Sequence, residues 1–224
     1  MTVSIVIPAL NEEHGIGDAL AAAAAARPHE LIVVDGGSVD RTRAVATAAG
    51  CVVLDAPLGR AVQMNTGAAA ATGDVFLFLH ADTRLPSDAL EDVARACKDP
   101  RIVGGRFDVV LDGPEPIFRI IETLMNVRSR LTRIATGDQA IFVRRSVFEA
   151  LGGFAPLPLM EDVHFSFRLK RRGRVACLRS RVRTSVRRWR RHGVWRTMVL
   201  MWWLRALYAV GVSPDRLARR YAAR

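Results

Sequence analysis

Short apolar runs alternate with helix-period segments along the first third of the chain. Val3–Pro8 and Leu31–Val34 are brief, continuous and rich in β-branched residues, the pattern of strands buried on both faces. Between them "EEHGIGDALAAAAAA" predicts an alanine-rich helix that stops near Arg27 and Pro28. The unit repeats. "SVDRTRAVATAAG" predicts a second helix with Ser38 as N-cap and Gly50 as stop, and "CVVLDAP" a third strand. "GRAVQMNTGAAAATG" then predicts a third helix and "DVFLFLHAD" a fourth strand. Strand–helix alternation of this kind predicts an α/β fold: a doubly wound, mostly parallel sheet flanked by helices and joined by right-handed crossovers.

In such sheets ligands sit beyond the carboxyl ends of the strands, and that is where the acids fall. The first strand ends in "PALNEE", the second in "VVDGGS" and the fourth in "LHADT". Asp35 and Asp82 are therefore expected to face one crevice, with Gly36 and Gly37 allowing close backbone approach. Either acid alone could simply close a turn or cap a helix. Two carboxylates facing one cavity repel unless a cation separates them, and Mn²⁺ or Mg²⁺ shared with a diphosphate meets that need. No GxxxxGK[ST] loop is present and no GxGxxG follows the first strand, which argues against an ATPase and a dinucleotide oxidoreductase.

Charge changes the picture at the C-terminus. The 224-residue chain carries a net +11, but residues 168–224 hold eighteen Lys and Arg against one acid, Asp215, a net of +17; the rest is −6. The apolar run Met198–Val212, broken only by Arg205, is too short to span a bilayer, for which about 20 residues are needed. Tryptophans beside arginines suit a helix lying on an anionic membrane surface; the competing reading is a helix packed on the domain. Nucleic-acid binding ranks lower, because no recognition motif accompanies the arginines. The expected organisation is a domain at 1–186 and a basic amphipathic helical extension at 187–224. Cys51, Cys97 and Cys177 have no CxxC spacing, and the first apolar run is too short and lacks the basic flank of a signal peptide. A cytoplasmic location is expected, with a peripheral place on the inner membrane face as its extension.

Six segments occur in an order that resembles glycosyltransferase family 2, which has the GT-A fold: "SIVIPALNEE", "LIVVDGGSVDRT", "GRAVQMNTGA", "FLFLHADT", "TGDQAIFVRRSVFEALGGF" and "PLMEDVHFSFRLKRRG". The HADT, GDQ and LMED wording further resembles the bacterial radical-SAM/selenodomain-associated transferase subfamily. The resemblance spans about residues 2–175. It implies an inverting, metal-dependent transfer of a sugar from a nucleotide-diphosphate sugar to an acceptor hydroxyl. Pro8, Asn11 and Glu12 match the first nucleotide-contacting turn, and Asp35 the acid that contacts base and ribose. Asp82 matches the metal-binding second acid of the DxD motif; Ala81 lies between, and His80 stands where the first acid is expected. Gly36 replaces an acid common after Asp35.

Arg60, at a helix start, is a candidate for meeting the diphosphate, and Asn65 lies in the same segment. The resemblance makes Asp162 the general base, beside Glu161 at the opening of a helix, and sets Gly137 and Asp138 near the donor sugar or acceptor. Arg171 and Arg172 are candidates for assisting the leaving diphosphate, and Gly113–Arg133 for shaping an acceptor pocket. The acceptor is left open between a lipid-linked, a small-molecule and a glycan hydroxyl. Two competing expectations are a GT-A protein that binds nucleotide sugars without transferring, for which His80 and Gly36 speak, and a surface-binding protein that acts through its tail.

Overall fold

The computed structural model describes residues 1–222, so the last two positions of the 187–224 extension lie outside the described residues. Its first half is the predicted alternation: β1 (Val3–Ala9), α1 (Ile16–Ala25), β2 (Glu30–Asp35), α2 (Thr42–Ala48), β3 (Val52–Asp55), α3 (Arg60–Ala70) and β4 (Val75–Phe78). These four strands pair in parallel, in the order β3-β2-β1-β4. After β5 (Thr83–Arg84) and α4 (Ala89–Ala96) come β6 (Ile102–Asp112), α5 (Pro116–Thr132), a 3₁₀ turn at Gly137–Gln139, β7 (Ile141–Arg144), α6 (Arg145–Leu151), α7 (Glu161–Leu169) and β8 (Arg174–Ser185). The sheet continues β4-β7-β6-β8-β5; β7 runs antiparallel to both neighbours, β5 is antiparallel to β8, and β6 and β8 are parallel. The result is a mixed α/β fold with a mostly parallel sheet covered by helices.

Strand alternation sends neighbouring side chains to opposite layers. From β1, Ile5 and Ile7 enter the core under α1 and α4, which supply Ile16, Leu20, Ala89 and Val93. Val6 enters the other core with Met64 of α3, Phe148 of α6 and Phe165 of α7. There Phe154 stacks at a tilt on Phe165, with centroids 4.3 Å apart, and meets Phe78 edge-on at 4.9 Å. This aromatic block seats the loop that leads into α7.

Helix α3 lies very close to the sheet because of Gly67. A Cβ there would stand 2.4 Å from Val6 Cγ1 and 2.9 Å from Val34 Cγ2. Gly67→Ala should therefore overpack the α3–β1–β2 seam at a cost of about 1–3 kcal/mol, a fall in Tm of roughly 2–12 °C. A thermal melt checks this; an unchanged or raised Tm would mean that the helix has room to retreat.

Two local expectations change. Ser38 does not cap α2: its Oγ accepts from Asn11 N at 2.9 Å, and Asp40 Oδ1 accepts from Thr42 N at 2.9 Å. The fourth strand ends at Phe78 rather than running on to Asp82, so His80, Ala81 and Asp82 lie in a loop that leads into β5. Beyond β8 lie α8 (Arg187–His192), α9 (Val194–Ala209) and α10 (Pro214–Ala222). They fold back on the domain: Leu204 and Leu217, both fully buried, join Ile134, Leu159, Met160 and Val163 at the head of α7.

Candidate functional site

The site builds from the carboxyl end of the parallel strands. At the end of β2, Asp35 is 1% exposed; its Oδ2 accepts from Gly37 N (3.1 Å) and Ser38 N (2.9 Å), while its Oδ1 is buried without a partner. Gly37 has φ +94 and open space where a side chain would be, so the turn is tied to Asp35 and its outer face is bare. The β1–α1 loop that follows Pro8 locks onto this turn. Asn11 Oδ1 accepts from Val39 N at 2.9 Å, and Glu12 N donates to Thr42 Oγ1 at 2.7 Å. Gln63, which the sequence did not single out, lies beneath both loops; its Nε2 donates to Ala9 O (2.8 Å) and Val34 O (2.9 Å). It also explains Gly36, where a Cβ would come within 3.0 Å of that nitrogen.

The HADT loop is held from the other side. Ala81 is buried, Asp82 O accepts from Ser185 N at 3.2 Å, and Thr83 donates to Thr184 across β5–β8. Burial pushes the Asp82 carboxyl up, the nearby Glu12 and Asp138 carboxylates push it further, and Arg187 draws it back. The repulsion expected between Asp35 and Asp82 therefore falls among Asp82, Glu12 and Asp138, because Asp35 is occupied by its own turn and by Arg43 at 3.7 Å. Glu12 is ion-paired to Arg187.

His80 turns against the Gly137 turn, where a Cβ would come within 2.2 Å of its Nε2. Burial, then the charge of Arg60, lowers its pKa to about 3, so the imidazole is neutral and has a lone pair to offer. With Glu161, Asp162, Gly137 and Phe154 it lines a small enclosed cavity. Asp162 Oδ2 accepts from Gly137 N at 2.8 Å and its Oδ1 from Val163 N at 2.7 Å, which fixes the carboxylate in place. Glu161 is 3% exposed and receives Arg60 Nε at 3.0 Å, while its second oxygen has no partner; burial pushes its carboxyl up despite Arg60. Asp138 is likewise pushed up by burial, and its Oδ1 is buried and unpartnered.

Among the described residues, Asp82, Asp138 and Glu161 are the carboxyls that the fold pushes upward, and all three belong to this one crevice. Such clustering marks functional sites. Sequence reading missed the cations that answer them. Arg128 of α5, its Nε and Nη2 buried and unpaired, stands within the field of Asp138 and Asp162. Arg188 of α8 lies near Asp82 and Arg60, its guanidinium 4.2 Å above the Tyr221 ring, and Tyr208 of α9 lies near Asp162. By contrast, Arg171 and Arg172 are exposed in the turn that follows α7, the end opposite Glu161 and Asp162, about 13 Å along a nine-residue helix. Arg187 and Arg188 stand beside Asp82 instead. Asn65 uses both ends of its amide on the Phe154 backbone, at 2.8 and 2.9 Å, and so holds the loop before α7.

For a metal, the residues present supply one partly exposed carboxylate, Asp82, with Glu12 and Asp138 in its field; among the described residues no group of three His, Cys, Asp or Glu gathers at ligand spacing. The Asp82 carboxylate, with Glu12 and Asp138 beside it, suits a hard cation that takes its other ligands from phosphate oxygens. The donor set fits a shared ion rather than a caged one.

Comparison with known proteins agrees with this architecture. The chain is 31% identical over 167 residues to undecaprenyl-phosphate 4-deoxy-4-formamido-L-arabinose transferase of Pseudomonas paraeruginosa, covering 66% of this chain and 49% of that protein. It is 39% identical over 93 residues to glucosyl-3-phosphoglycerate synthase of Mycolicibacterium smegmatis, covering 36% and 31%. The chain thus spans 31% and 49% of the length of these curated relatives. Among solved structures, S. aureus TarS 1–349 in complex with UDP superposes with a TM-score of 0.68 at 19% identity, covering 83% of this chain and 61% of that one. Glucosyl-3-phosphoglycerate synthase from Mycobacterium tuberculosis in complex with Mn²⁺, UDP and glucosyl-3-phosphoglycerate gives 0.61 at 21%, covering 80% and 70%. The family model for glycosyl transferase family 2 matches residues 4–157, more than half of the sequence, and the chain belongs to that family.

Proposed function

We propose that this protein transfers a sugar from a uridine-diphosphate sugar to an acceptor hydroxyl, with inversion and with the help of Mn²⁺ or Mg²⁺. The observation that carries the reading is the crevice itself: three carboxyls held against burial, facing Arg60, Arg128, Arg187 and Arg188. An anionic donor and a cation together would complement both sets of charges. The family's nucleotide-contacting turn and the wording that resembles the radical-SAM/selenodomain-associated subfamily support the same reading, as do the UDP complexes of its structural neighbours.

In this reading the buried, unpartnered Oδ1 of Asp35 accepts from the base or ribose of the nucleotide beside the open Gly37 turn. Asp82 would hold the divalent ion, which when bound neutralises the departing diphosphate. Arg187 and Arg188 add fixed positive charge on the same side. Asp162, its carboxylate fixed by the Gly137 and Val163 N–H groups, takes the proton of the acceptor hydroxyl as that oxygen attacks the anomeric carbon from the face opposite the diphosphate. Neutral His80 and the Gly137 turn shape the floor against which the sugar would lie. The reaction is placed in the cytoplasm, with the protein peripheral on the inner face of the membrane.

A melt with nucleoside diphosphates and Mn²⁺ or Mg²⁺ tests the reading. UDP with metal at about one hundred times Kd should add roughly 2.7 kcal/mol, or about 5–11 °C in Tm, and ADP should add much less. If no nucleotide–metal pair shifts the melt, the donor assignment fails.

A further inference from the structure

Two neighbouring helices each turn an apolar stripe outward. On α5, Ile120, Leu124, Val127 and Leu131 follow one another at steps of four, three and four, so they stand on one side of the helix, and they are 45–80% exposed. The other side of α5 is used inside the fold, where Phe118, Ile121, Glu122 and Ser129 are buried. Helix α9 is apolar on both sides. Its inner side gives Leu204 to the cluster over Met160 and Val163. Its outer side presents Trp195, Val199, Trp202 and Trp203, with Val210 just past its end, all 41–78% exposed. An apolar helix with only one side covered lacks a second partner.

The two helices meet at a shared cluster on the inner side of α5. Trp189, Val194 and Met198, at the start of the C-terminal helices, pack against a cluster that contains Phe118 and Ile121 of α5. A groove of about 280 Å³ opens on α9 between Arg196, Val199, Leu200 and Trp203, and Arg220 of α10 stacks 5.0 Å from the Trp203 ring. Indoles interleaved with arginines have one end suited to hydrocarbon and the other to phosphate.

We infer that α5 and α9 form a single docking face whose occupant is the surface of a bilayer carrying anionic headgroups. Charge decides between occupants. A second copy would set the Arg196 and Arg220 of one face against those of another, whereas anionic lipid complements them. Among the described residues no helix is long and apolar enough to cross the membrane, so the face lies on the bilayer. Because α9 also covers Met160 and Val163, on either side of Glu161 and Asp162, docking would set the crevice at the lipid surface. This deepens the peripheral-membrane part of the proposed function and rests on it, but needs no sugar transfer, so the two can fail separately.

Flotation of the full chain with vesicles tests it. With phosphatidylglycerol mixed into phosphatidylcholine, the protein should rise with the vesicles; with phosphatidylcholine alone, or in high salt, the bound fraction should fall about tenfold. The paired variants Trp202→Ser with Trp203→Ser, and Leu124→Ser with Leu131→Ser, change exposed side chains and should melt within a few degrees of wild type. Each should cut vesicle binding about tenfold. A wild-type chain left in the soluble fraction, or equal binding to neutral vesicles, overturns the inference. So does an α5 pair that floats like wild type, because the face would then be α9 alone. A sedimentation dimer abolished by the same pairs would make a second copy the occupant instead.

Discussion

Asp162→Asn is expected to lower kcat by about 10²–10⁴-fold, the usual worth of a positioned general base, while the donor Kd stays within roughly threefold. The expectation follows from how the fold treats the two acids at the head of α7. Glu161 is almost fully enclosed and tied to Arg60, so its carboxylate is committed to holding α3 against α7. Asp162 is more open, and its two oxygens are oriented by backbone N–H groups. An amide has one acceptor oxygen and can serve only one of those N–H groups. The variant should therefore also lose about 1 kcal/mol of stability, read as a Tm fall of roughly 2–4 °C. Single-turnover kinetics together with donor titration separate the effects: retained donor affinity with lost turnover assigns the base. Turnover within tenfold of wild type at intact donor affinity would remove Asp162 from that position and leave Glu161 as the acid to examine.

What the sequence disclosed was local. The β1 to β4 half was legible because each strand and helix declares itself by period, and because strand-end acids follow from parallel connectivity alone. The pairing of β7 between β4 and β6 was not legible, since an antiparallel insertion depends on contacts dozens of residues apart. The same distance hid the cations. Arg187 and Arg188 sat in the basic C-terminal extension and Arg128 inside the segment expected to shape an acceptor pocket, and only the return of α8 against the Glu12 loop and of α5 over the Gly137 turn gives them acidic neighbours. The basic C-terminal segment left open whether its apolar run lies on a membrane or packs on the domain; Leu204 and Leu217 within it are fully buried, so one side packs on the domain. Gln63 carried a weak signal: a polar residue on the buried face of an alanine-rich helix is a candidate for bonding backbone, which is what it does.

Asp82→Asn should move stability and function in opposite directions. The fold raises the Asp82 carboxyl by burial and by the Glu12 and Asp138 charges, so ionising it costs the folded state more than the unfolded chain. The sign follows: between the unfolded value of 3.8 and the higher folded one the native state binds more protons, so this group's contribution weakens the fold as pH rises through that window. At pH above the folded value the penalty is fully present, and asparagine removes it. The ligand-free variant should therefore melt higher by about 0.5–1 kcal/mol, or roughly 1–4 °C, and its Tm should depend less on pH on the acid side of neutral. The donor side should show the reverse, with the stabilisation by UDP and Mn²⁺ reduced by the equivalent of at least about tenfold in affinity. A bound cation would discharge this carboxylate and recover that cost. An Asp82→Asn variant that melts like wild type and keeps its full UDP and Mn²⁺ shift would show that the crevice tolerates this charge for some other reason, and the metal would lose its protein ligand.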